Sequence, residues 1–368
     1  MNEVDCLVIG GGIAGASLAA ELAPHRRLIL AEAEAQPGYH ATGRSAAFWH
    51  ESYGGPIVAP LTRASRPALE AGGWLAPRGA IHLARSADTF DVVAGCAVEP
   101  LDRTALEARL PGLRPDWERG LWEPGLADID VAGLHAAVLG SVCRANGTVR
   151  TGARLARADH DGTGWTAEFE TGEPVRAALI VDAAGAWADE VAGRCGVVPL
   201  GIAAKRRTMV QLRLGRDGLS RLPLVIAADG SFYFKGAGER SIWLSPHDEI
   251  ASDPCDSAPE EIDVALAIDR FQQVVDWPVE RVERIWAGLR SFTPDRVPAF
   301  GFDRRSPAFF WCVGQGGFGI QTAPAAAELC RRLIFGEEPG PVDPTPFDPA
   351  RFDPARFGPA RFGSERFG

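Results

Sequence analysis

The sequence lacks several features that mark common classes of protein. Basic residues are not in excess, since 38 Lys and Arg stand against 48 Asp and Glu, for a formal net charge of −10. Nucleic-acid-binding proteins usually carry a basic surface, so we expect no nucleic-acid partner. No stretch is long and apolar enough to cross a bilayer. The N-terminus carries Glu3 and Asp5 where a signal peptide would be basic, so we expect a cytoplasmic protein.

The cysteines and histidines show no pattern typical of disulfides or of metal ligands. The seven cysteines are an odd number, widely scattered and without a C-x-x-C pair. This pattern favours free thiols in a reducing compartment. The seven histidines show no spacing typical of metal ligands, so we expect no metal site. The chain of 368 residues, 46% hydrophobic, is long enough for two lobes that share an interface.

What the sequence does contain is a dinucleotide-binding pattern at its start. Residues 5–9 (DCLVI) predict a buried strand, residues 16–22 a helix and residues 28–30 a second strand that leads to Glu32. Between the first strand and the helix stands G-x-G-x-x-G, which comprises Gly10, Gly12, Ile13, Ala14 and Gly15. An acidic residue at this distance typically binds the ribose hydroxyls of a dinucleotide.

Each glycine of this loop has a separate physical purpose. Gly10 permits the tight turn, Gly12 lets the backbone approach a pyrophosphate, and Gly15 lets the helix pack on the strand. The helix N-terminus then offers free N–H groups and the positive end of its dipole to the phosphates. The order strand, glycine loop, helix, strand and acid is more specific than the glycines alone.

Further elements can be predicted along the chain. Helices are predicted over residues 102–110, 130–145 and 323–335, and strands over 79–84, 177–181 and 309–313. Strand-like runs between residues 199 and 284 predict a mostly antiparallel sheet. Residues 345–368 repeat a Phe- and Arg-containing motif every five residues, which predicts a mobile or weakly docked tail, or alternatively a short interaction arm.

Seven segments, in order, resemble the FAD-dependent D-amino acid oxidase superfamily, and within it the bacterial D-arginine dehydrogenases. They are VIGGGIAGASLAAEL (8–22), EAQPGYHATGRSAA (34–47), VDAAGAWADEVAG (181–193), KRR (205–207), FYFK (232–235), WAGLRSFTPD (286–295) and WCVGQGGFGIQT (311–322). The resemblance implies an α/β fold with a Rossmann-like FAD-binding domain and an inserted, mostly antiparallel substrate-binding sheet. The FAD-binding domain would comprise residues 1–75, 130–198 and 295–338, the substrate domain 76–129 and 199–294, and the tail 339–368.

The resemblance also implies which residues bind FAD. Beside the first glycine loop and Glu32, a second flavin loop would comprise Arg44, Ser45, Ala46 and Ala47, with Ser45 starting a helix beside the pyrophosphate. Gly185 ends a predicted strand, where its small neighbours suggest close approach to a ligand. A third loop near the isoalloxazine would comprise Gly316, Gly317, Gly319, Ile320 and Gln321. The segment 288–295 has no cysteine, so the resemblance implies non-covalent FAD.

The resemblance implies an amino acid site as well. Arg207 and Arg290 match two arginines that hold the substrate carboxylate, a task suited to the planar guanidinium, and Arg206 is the alternative to Arg207. Tyr53 and Tyr233 match two active-site tyrosines in a chain with only three tyrosines. Gly317 matches a backbone carbonyl that accepts a hydrogen bond from the substrate amine.

Departures from the arginine enzymes change the expected substrate. Ala80 stands where those enzymes have a glutamate that binds the guanidinium, and Phe48 stands where they have a histidine. Arginine and lysine are therefore not the expected substrates. His50 and His82 are polar groups that remain near a more apolar pocket, and His50 is a candidate ligand or base.

The expected reaction is oxidation of a D-amino acid, or a related amino acid, to the imine, which water then hydrolyses to a 2-oxo acid and ammonia. The electron acceptor stays open between dioxygen and a quinone or other carrier. Three alternatives remain: an oxidase of glycine, sarcosine or another secondary amine, a 2-hydroxy acid dehydrogenase with His50 as base, and a flavin-binding protein without turnover.

Overall fold

The computed structural model describes residues 2–90, 92 and 94–352. Within these ranges the α-helices are α1 (Ile13–Leu22), α2 (Gly55–Ala71), α3 (Arg103–Arg109), α4 (Val131–Arg144), α5 (Ala188–Arg194), α6 (Glu261–Gln272) and α7 (Gly319–Phe335). None of them combines the length and the apolar character needed to span a membrane. Asp102 and Asp130 cap α3 and α4 by accepting hydrogen bonds from the backbone N–H groups of Ala105 and Gly133, as an N-cap aspartate does.

The described residues also form 21 strands. They are β1 (Asn2–Ile9), β2 (Leu28–Ala31), β3 (Phe48–Trp49), β4 (Leu75–Pro77), β5 (Ala80–Ala84), β6 (Glu99–Leu101), β7 (Arg119–Glu123), β8 (Ala127–Ile129), β9 (Thr148–Arg150), β10 (Leu155–His160), β11 (Trp165–Phe169), β12 (Val175–Asp182), β13 (Ala203–Leu214), β14 (Leu224–Ala227), β15 (Tyr233–Gly236), β16 (Ser241–Ser245), β17 (Ile250–Ala251), β18 (Val279–Phe292), β19 (Ala299–Phe302), β20 (Phe309–Val313) and β21 (Gln315–Gly316).

The first sheet has parallel strands at its centre. Its order is β10-β11-β12-β1-β2-β9, and β20 joins β12 and pairs with β19. Cys6 and Val8 of β1 pack in one core with α1 and α7, whereas Leu7 and Ile9 pack in a second core with α5 on the opposite face. Because both faces are covered there, the second half of β1, residues 6–9, is apolar and buried throughout, as expected of a buried parallel strand.

The second sheet is mostly antiparallel, as the sequence predicted for its middle section. Its order is β21-β18-β13-β16-β15-β14-β5-β7-β6, with a parallel contact between β14 and β5. Alternate residues of β13 point to opposite faces. Val210 and Leu212 enter a core with α3 and α6, whereas Arg207 and Met209 line a cleft. This alternation places functional side chains on a rigid strand.

A small third sheet and one short strand connect these layers. The third sheet has the order β3-β8-β4. The short strand β21 pairs with β18, in a register that sets Ser291 opposite Gly316. The second glycine cluster is therefore held at the end of the long strand β18, directly before α7.

Helix α2 was not among the helices predicted from the sequence. The helix contains Pro60 and Pro67 and has Pro56 at its N-terminus. Interior prolines normally disfavour a helix. Here the helix buries Val58, Leu61 and Leu69, and this packing outweighs local propensity.

The prediction of a loose tail from residue 345 is wrong for its first part. Phe347 is only 1% exposed and stacks near Phe300, with ring centroids 5.4 Å apart. Arg351 donates from Nε to Asp295 Oδ2 at 2.7 Å and from Nη2 to the carbonyl of Val297 at 2.6 Å. The first repeat, residues 347–351, thus packs on β19, and residues 353–368 lie outside the described ranges.

The cysteines match the prediction of free thiols. All seven are unpaired with one another, and four of them, Cys6, Cys195, Cys312 and Cys330, are buried. Burial raises the pKa of the Cys6 thiol to about 11. These buried thiols behave as small apolar groups of the core.

Candidate active site

The first glycine loop has the geometry that its sequence predicted. Gly10 has φ +107°, and a Cβ there would lie 2.5 Å from the carbonyl oxygen of Ala183. A Cβ on Gly15 would lie 2.0 Å from the carbonyl oxygen of Gly10, so only glycine lets α1 approach the loop this closely. The backbone N–H of Ile13, in the first turn of α1, donates to Thr42 Oγ1 at 3.0 Å.

Glu32 lies at the end of β2, beside this loop. Its Oε2 accepts from the backbone N–H of Gly11 at 2.7 Å, and its Oε1 accepts from that of Glu34 at 2.8 Å. These two hydrogen bonds fix the carboxylate at the cleft. A carboxylate oxygen has more than one lone pair, so both atoms retain capacity to accept from a ribose.

A cleft with a volume of about 230 Å³ opens between the two large sheets. Most residues that the sequence singled out line it: Gly10, Gly12, Ile13, Ala14, Glu32, Arg44, Ser45, Ala46, Gly185, Gly316, Gly317, Gly319, Ile320, Arg207, Tyr233 and Arg290. The other predicted site residues lie outside this lining, namely Gly15, Ala47, Gln321, Tyr53, His50, Phe48 and Ala80. The cleft also exposes Trp187 and Met209, which sequence reasoning did not single out.

The second predicted loop lines the cleft, but the helix expected to start at Ser45 is absent. Ser45 Oγ instead accepts from the backbone N–H of Ala47 at 3.0 Å, which closes a local turn. Ala47 has φ +21°, which interrupts any helix, and β3 begins at the next residue. Arg44 directs its guanidinium to the carbonyls of Ser257 and Ala287 and to Asp256.

The third predicted loop ends at the N-terminus of α7. Gly319, Ile320 and Gln321 form the first turn of this helix, where backbone N–H groups have no intrahelical acceptor. The Gln321 side chain has a different task. Its Oε1 accepts from the N–H of His50 at 3.0 Å, and its Nε2 donates to the carbonyl of Tyr53 at 3.2 Å. Gln321 therefore fixes the loop that carries Tyr53.

Arg207, and not Arg206, faces the cleft. Arg206 points to the other side of β13 and pairs with Glu260 and Asp263. Arg207 is 4% exposed, and its Nε donates to the carbonyl of Asp248 at 2.7 Å. Its Nη1 is buried without a hydrogen-bond partner among the described residues. Burial, and then the positive charge of Arg290, lower the pKa of the Arg207 guanidinium.

Arg290, Tyr53 and Gly317 form one contact group at the wall of the cleft. Arg290 Nη1 donates to the Tyr53 hydroxyl at 2.6 Å. A Cβ on Gly317 would lie 2.2 Å from that hydroxyl and 2.8 Å from Arg290 Cζ. Glycine at position 317 therefore leaves the space that both side chains occupy.

Tyr233 lies on the neighbouring part of the second sheet. Its hydroxyl donates to Met209 Sδ at 3.1 Å, and its ring meets Phe48 edge to face with centroids 6.0 Å apart. His247 contacts the other side of the ring, with centroids 5.6 Å apart. Burial, and then the charges of Arg207 and Arg290, lower the pKa of His247 to about 3. This imidazole is therefore neutral at physiological pH.

A buried cation behind the second loop was not identified from the sequence. Lys235 Nζ donates to the carbonyl of Ala46 at 3.0 Å and to Asp128 Oδ1 at 2.9 Å. It also lies 4.6 Å from the centre of the Phe48 ring. Burial lowers the pKa of Lys235, and Asp128 opposes this change. The lysine therefore joins the loop 44–47 to the second sheet.

Three residues that the sequence did not bring together meet beside this wall. His82 Nε2 lies 2.8 Å and His50 Nε2 lies 3.1 Å from the same atom, Glu123 Oε2. Glu123 is paired directly opposite Ala80 in the sheet. The carboxylate of Glu123 therefore lies beside Ala80, on the neighbouring strand β7. Both imidazoles contact this carboxylate. Burial would raise the pKa of Glu123, but the two neighbouring imidazoles outweigh it and lower that pKa to about 2.

The arrangement suits a bound dinucleotide with a redox-active group at its far end. The glycine loop, the first turn of α1 and Glu32 form one end of the cleft, and Arg207, Arg290 and Tyr233 belong to the same cleft. The backbone at Gly185 is open to close approach by a ligand, because no protein atom lies within 4 Å of the place where a Cβ would stand. These features are those of a dinucleotide-binding cleft.

Comparison with known proteins identifies the family. The model of the DAO family, described as FAD dependent oxidoreductase, matches residues 5–333. The chain therefore belongs to this family and is an FAD-dependent oxidoreductase, and the residues of its cleft fit FAD.

Individual relatives share the fold across most of the chain. The bifunctional protein ThiO/ThiG of Nostoc sp. (strain PCC 7120) is 26% identical over 364 residues, which cover 92% of this chain and 54% of that protein. The chain thus spans about half the length of that relative. The structure of glycine oxidase from Geobacillus kaustophilus has a TM-score of 0.80 at 21% identity, covering 95% of this chain and 99% of that chain. L-Proline dehydrogenase from P. horikoshii has a TM-score of 0.82 at 19% identity, covering 96% and 99%.

Proposed function

We propose that this flavoprotein oxidises a small α-amino acid, a D-amino acid or a related one, at its C–N bond. The observation that carries the proposal is the pair of arginines in the cleft. Arg207 has a buried Nη1 without a partner among the described residues, and Arg290 lies in the same cleft. Arg207 Nη2 contacts Glu249 at 3.3 Å, but its unpartnered Nη1 and the neighbouring Arg290 guanidinium suit an anionic ligand.

The remaining groups orient such a substrate. Tyr53 shares its hydroxyl with Arg290 and so adds a donor or acceptor beside the carboxylate. The backbone carbonyl of Gly317 is the proposed acceptor for the substrate amine. Fixing both the carboxylate and the amine leaves the α-C–H in one orientation, which is the entropic part of catalysis.

FAD, when bound in the cleft, would supply the two-electron oxidant for removal of a hydride from the α-carbon. The amine must enter this step neutral, because its lone pair becomes part of the C=N bond. Water then adds to the imine, which gives a 2-oxo acid and ammonia. No protein base is required for removal of the hydride. His247, which contacts the Tyr233 ring, is directed through Nδ1 to the carbonyl of Gly230, 2.5 Å away.

A glycine- or secondary-amine oxidase is the second candidate. The similarity to glycine oxidase and L-proline dehydrogenase supports it. A 2-hydroxy acid substrate has less support, because it needs a base to remove the hydroxyl proton. His50, the candidate for that base, lies outside the cleft lining with its Nε2 at Glu123.

Arg290→Met tests the proposal. The variant should retain FAD and its yellow colour, because Arg290 is not among the groups proposed for the dinucleotide. Its KM for an amino acid should rise by about 100-fold or more, since a charged hydrogen bond contributes roughly 1.5–3 kcal/mol and two such bonds would be lost. Arg284→Met is the control, because Arg284 lies on the same strand against Trp286, away from the cleft lining. Unchanged kinetics in Arg290→Met would overturn the carboxylate assignment.

A further inference from the structure

The contact between His50, His82 and Glu123 brings together three different parts of the fold. His50 follows the short strand β3, His82 lies on β5, and Glu123 ends β7. One nitrogen of each histidine and one carboxylate oxygen all lie within 4.8 Å of one another. Among the described residues this is the one group of three or more His, Cys, Asp or Glu side chains with such convergence.

Hydrogen bonding alone leaves this cluster incompletely satisfied. Both imidazoles approach the same oxygen, Glu123 Oε2, and only His82 does so with hydrogen-bond geometry. His50 Nε2 is buried and has no hydrogen-bond partner among the described residues. Leaving such a polar atom unsatisfied is destabilising, so a ligand at the point where these atoms converge would be stabilising.

The present distances are close to those of a metal centre. Zn²⁺ bonds to His nitrogen and carboxylate oxygen at about 2.0–2.2 Å, and tetrahedral geometry then sets the ligand atoms roughly 3.3 Å apart. Glu123 Oε2 lies 2.8 Å from His82 Nε2 and 3.1 Å from His50 Nε2. A shift of Glu123 Oε2 by a few tenths of an ångström away from the imidazoles would bring these two distances to the tetrahedral value.

The ligand types select among the metals. Two imidazoles and a single carboxylate suit Zn²⁺ or another first-row divalent ion, whereas Ca²⁺ and Mg²⁺ require mostly oxygen ligands. Three protein ligands leave one tetrahedral position, which water fills in comparable zinc sites. The charge of the ion would be compensated in part by the ionised Glu123.

We propose that His50 Nε2, His82 Nε2 and Glu123 Oε2 form a binding site for a divalent transition metal ion, with Zn²⁺ as the preferred ion. The ion would link β5 and β7 to the loop that carries Tyr53. The His50 ring is stacked parallel to the Tyr53 ring, with centroids 6.0 Å apart and planes 7° apart. The site therefore positions the Tyr53 hydroxyl that Arg290 contacts, and takes no part in the redox step itself.

The test is calorimetric titration of the FAD-loaded protein with ZnCl₂ after removal of metals with EDTA. Wild type should bind one Zn²⁺ per chain, and His82→Gln and Glu123→Gln should each weaken binding at least 10-fold. His160→Gln is the matched control, because His160 lies exposed at the end of β10 and contacts Trp165. His82→Cys, which supplies another zinc ligand, should restore binding.

Two readouts separate the site from a structural effect of the substitutions. Zn²⁺ should raise the Tm of wild type and of His160→Gln but not that of Glu123→Gln, since only a folded state that binds the ion is stabilised. Zn²⁺ should also slow amide exchange over residues 50–55 of wild type. Wild-type affinity no better than that of Glu123→Gln would overturn the proposal. None of these measurements needs turnover, so the outcome is independent of the proposed function.

Discussion

Arg290 and Tyr53, which are 237 residues apart in sequence, share a hydrogen bond of 2.6 Å at the wall of the cleft. Arg290 comes from the long strand β18, whereas Tyr53 comes from the loop before α2. The tyrosine is held in turn by Gln321, through its backbone carbonyl. The side chains proposed to bind the substrate carboxylate are therefore held in place jointly by a strand, a loop and the first turn of α7.

Tyr53→Phe tests the cooperation of this pair. Loss of the hydroxyl frees Arg290 to take other positions, so kcat/KM for an amino acid should fall about 10- to 100-fold, as expected for a hydrogen bond to a charged group. In an Arg290→Met background the same change should cost much less, because the two side chains act together. Steady-state kinetics of the two single variants and the double variant measure the coupling. Strictly additive losses would show that the two groups act separately.

Gly317→Ala should disturb the same group from the backbone side. The new Cβ would lie 2.2 Å from the Tyr53 hydroxyl and 2.8 Å from Arg290 Cζ, so both side chains must move. We expect kcat/KM to fall at least 10-fold while the chain still folds and binds FAD. Gly193→Ala is the control, because a Cβ in that position of α5 meets nothing within 4 Å. Equal kinetics in the two variants would contradict the contact.

His247 gives a pH dependence of stability with a defined sign. Its folded-state pKa is lowered from 6.5 to about 3, by burial first and then by Arg207 and Arg290. Between these values the unfolded chain binds a proton that the folded protein does not bind, so stability falls as the pH drops from 6.5 toward 3. The cost is about 2 kcal/mol on going from pH 7 to pH 5. Urea unfolding at the two pH values should show that His247→Gln loses less free energy of unfolding than wild type. Equal losses in the two proteins would contradict the assignment of this pH dependence to His247.

Phe347 tests the docking of the first tail repeat. Its ring is 1% exposed and packs against Phe300. Phe347→Ala should lower the free energy of unfolding by about 3 kcal/mol or more, as for other buried Phe to Ala changes. Phe302→Ala, at a position 36% exposed on the same strand as Phe300, should cost clearly less. Equal losses of unfolding free energy in the two variants, measured by chemical denaturation, would mean that the Phe347 ring is not packed in the core.

Local patterns carried the sequence prediction furthest. The strand, glycine loop, helix and Glu32 lie within one short stretch, and the structure reproduces the turn at Gly10 and the close packing at Gly15. The helices predicted over residues 102–110 and 130–145 were confirmed as α3 and α4, which Asp102 and Asp130 cap. Such features depend only on neighbouring residues.

Features that depend on distant packing were missed. Glu123 lies 41 residues from His82, and only the pairing of β5 with β7 brings them together. Helix α2 was missed because its prolines oppose local helix propensity, while its burial depends on α7. The tail was misjudged because its repeat is low in complexity, whereas Phe347 and Arg351 find partners on β19 and the segment before it.

The central claim is that the two arginines of the cleft hold the carboxylate of an amino acid beside bound FAD. The most direct measurement is anaerobic mixing of the purified flavoprotein with D- and L-amino acids, glycine, sarcosine, simple amines and 2-hydroxy acids, with flavin absorbance as the readout. The account predicts rapid bleaching by amino acids that have a free carboxylate, and a much weaker response from their decarboxylated amines and from Arg290→Met. Equal bleaching by amines without a carboxylate, or none by any amino acid, would contradict it.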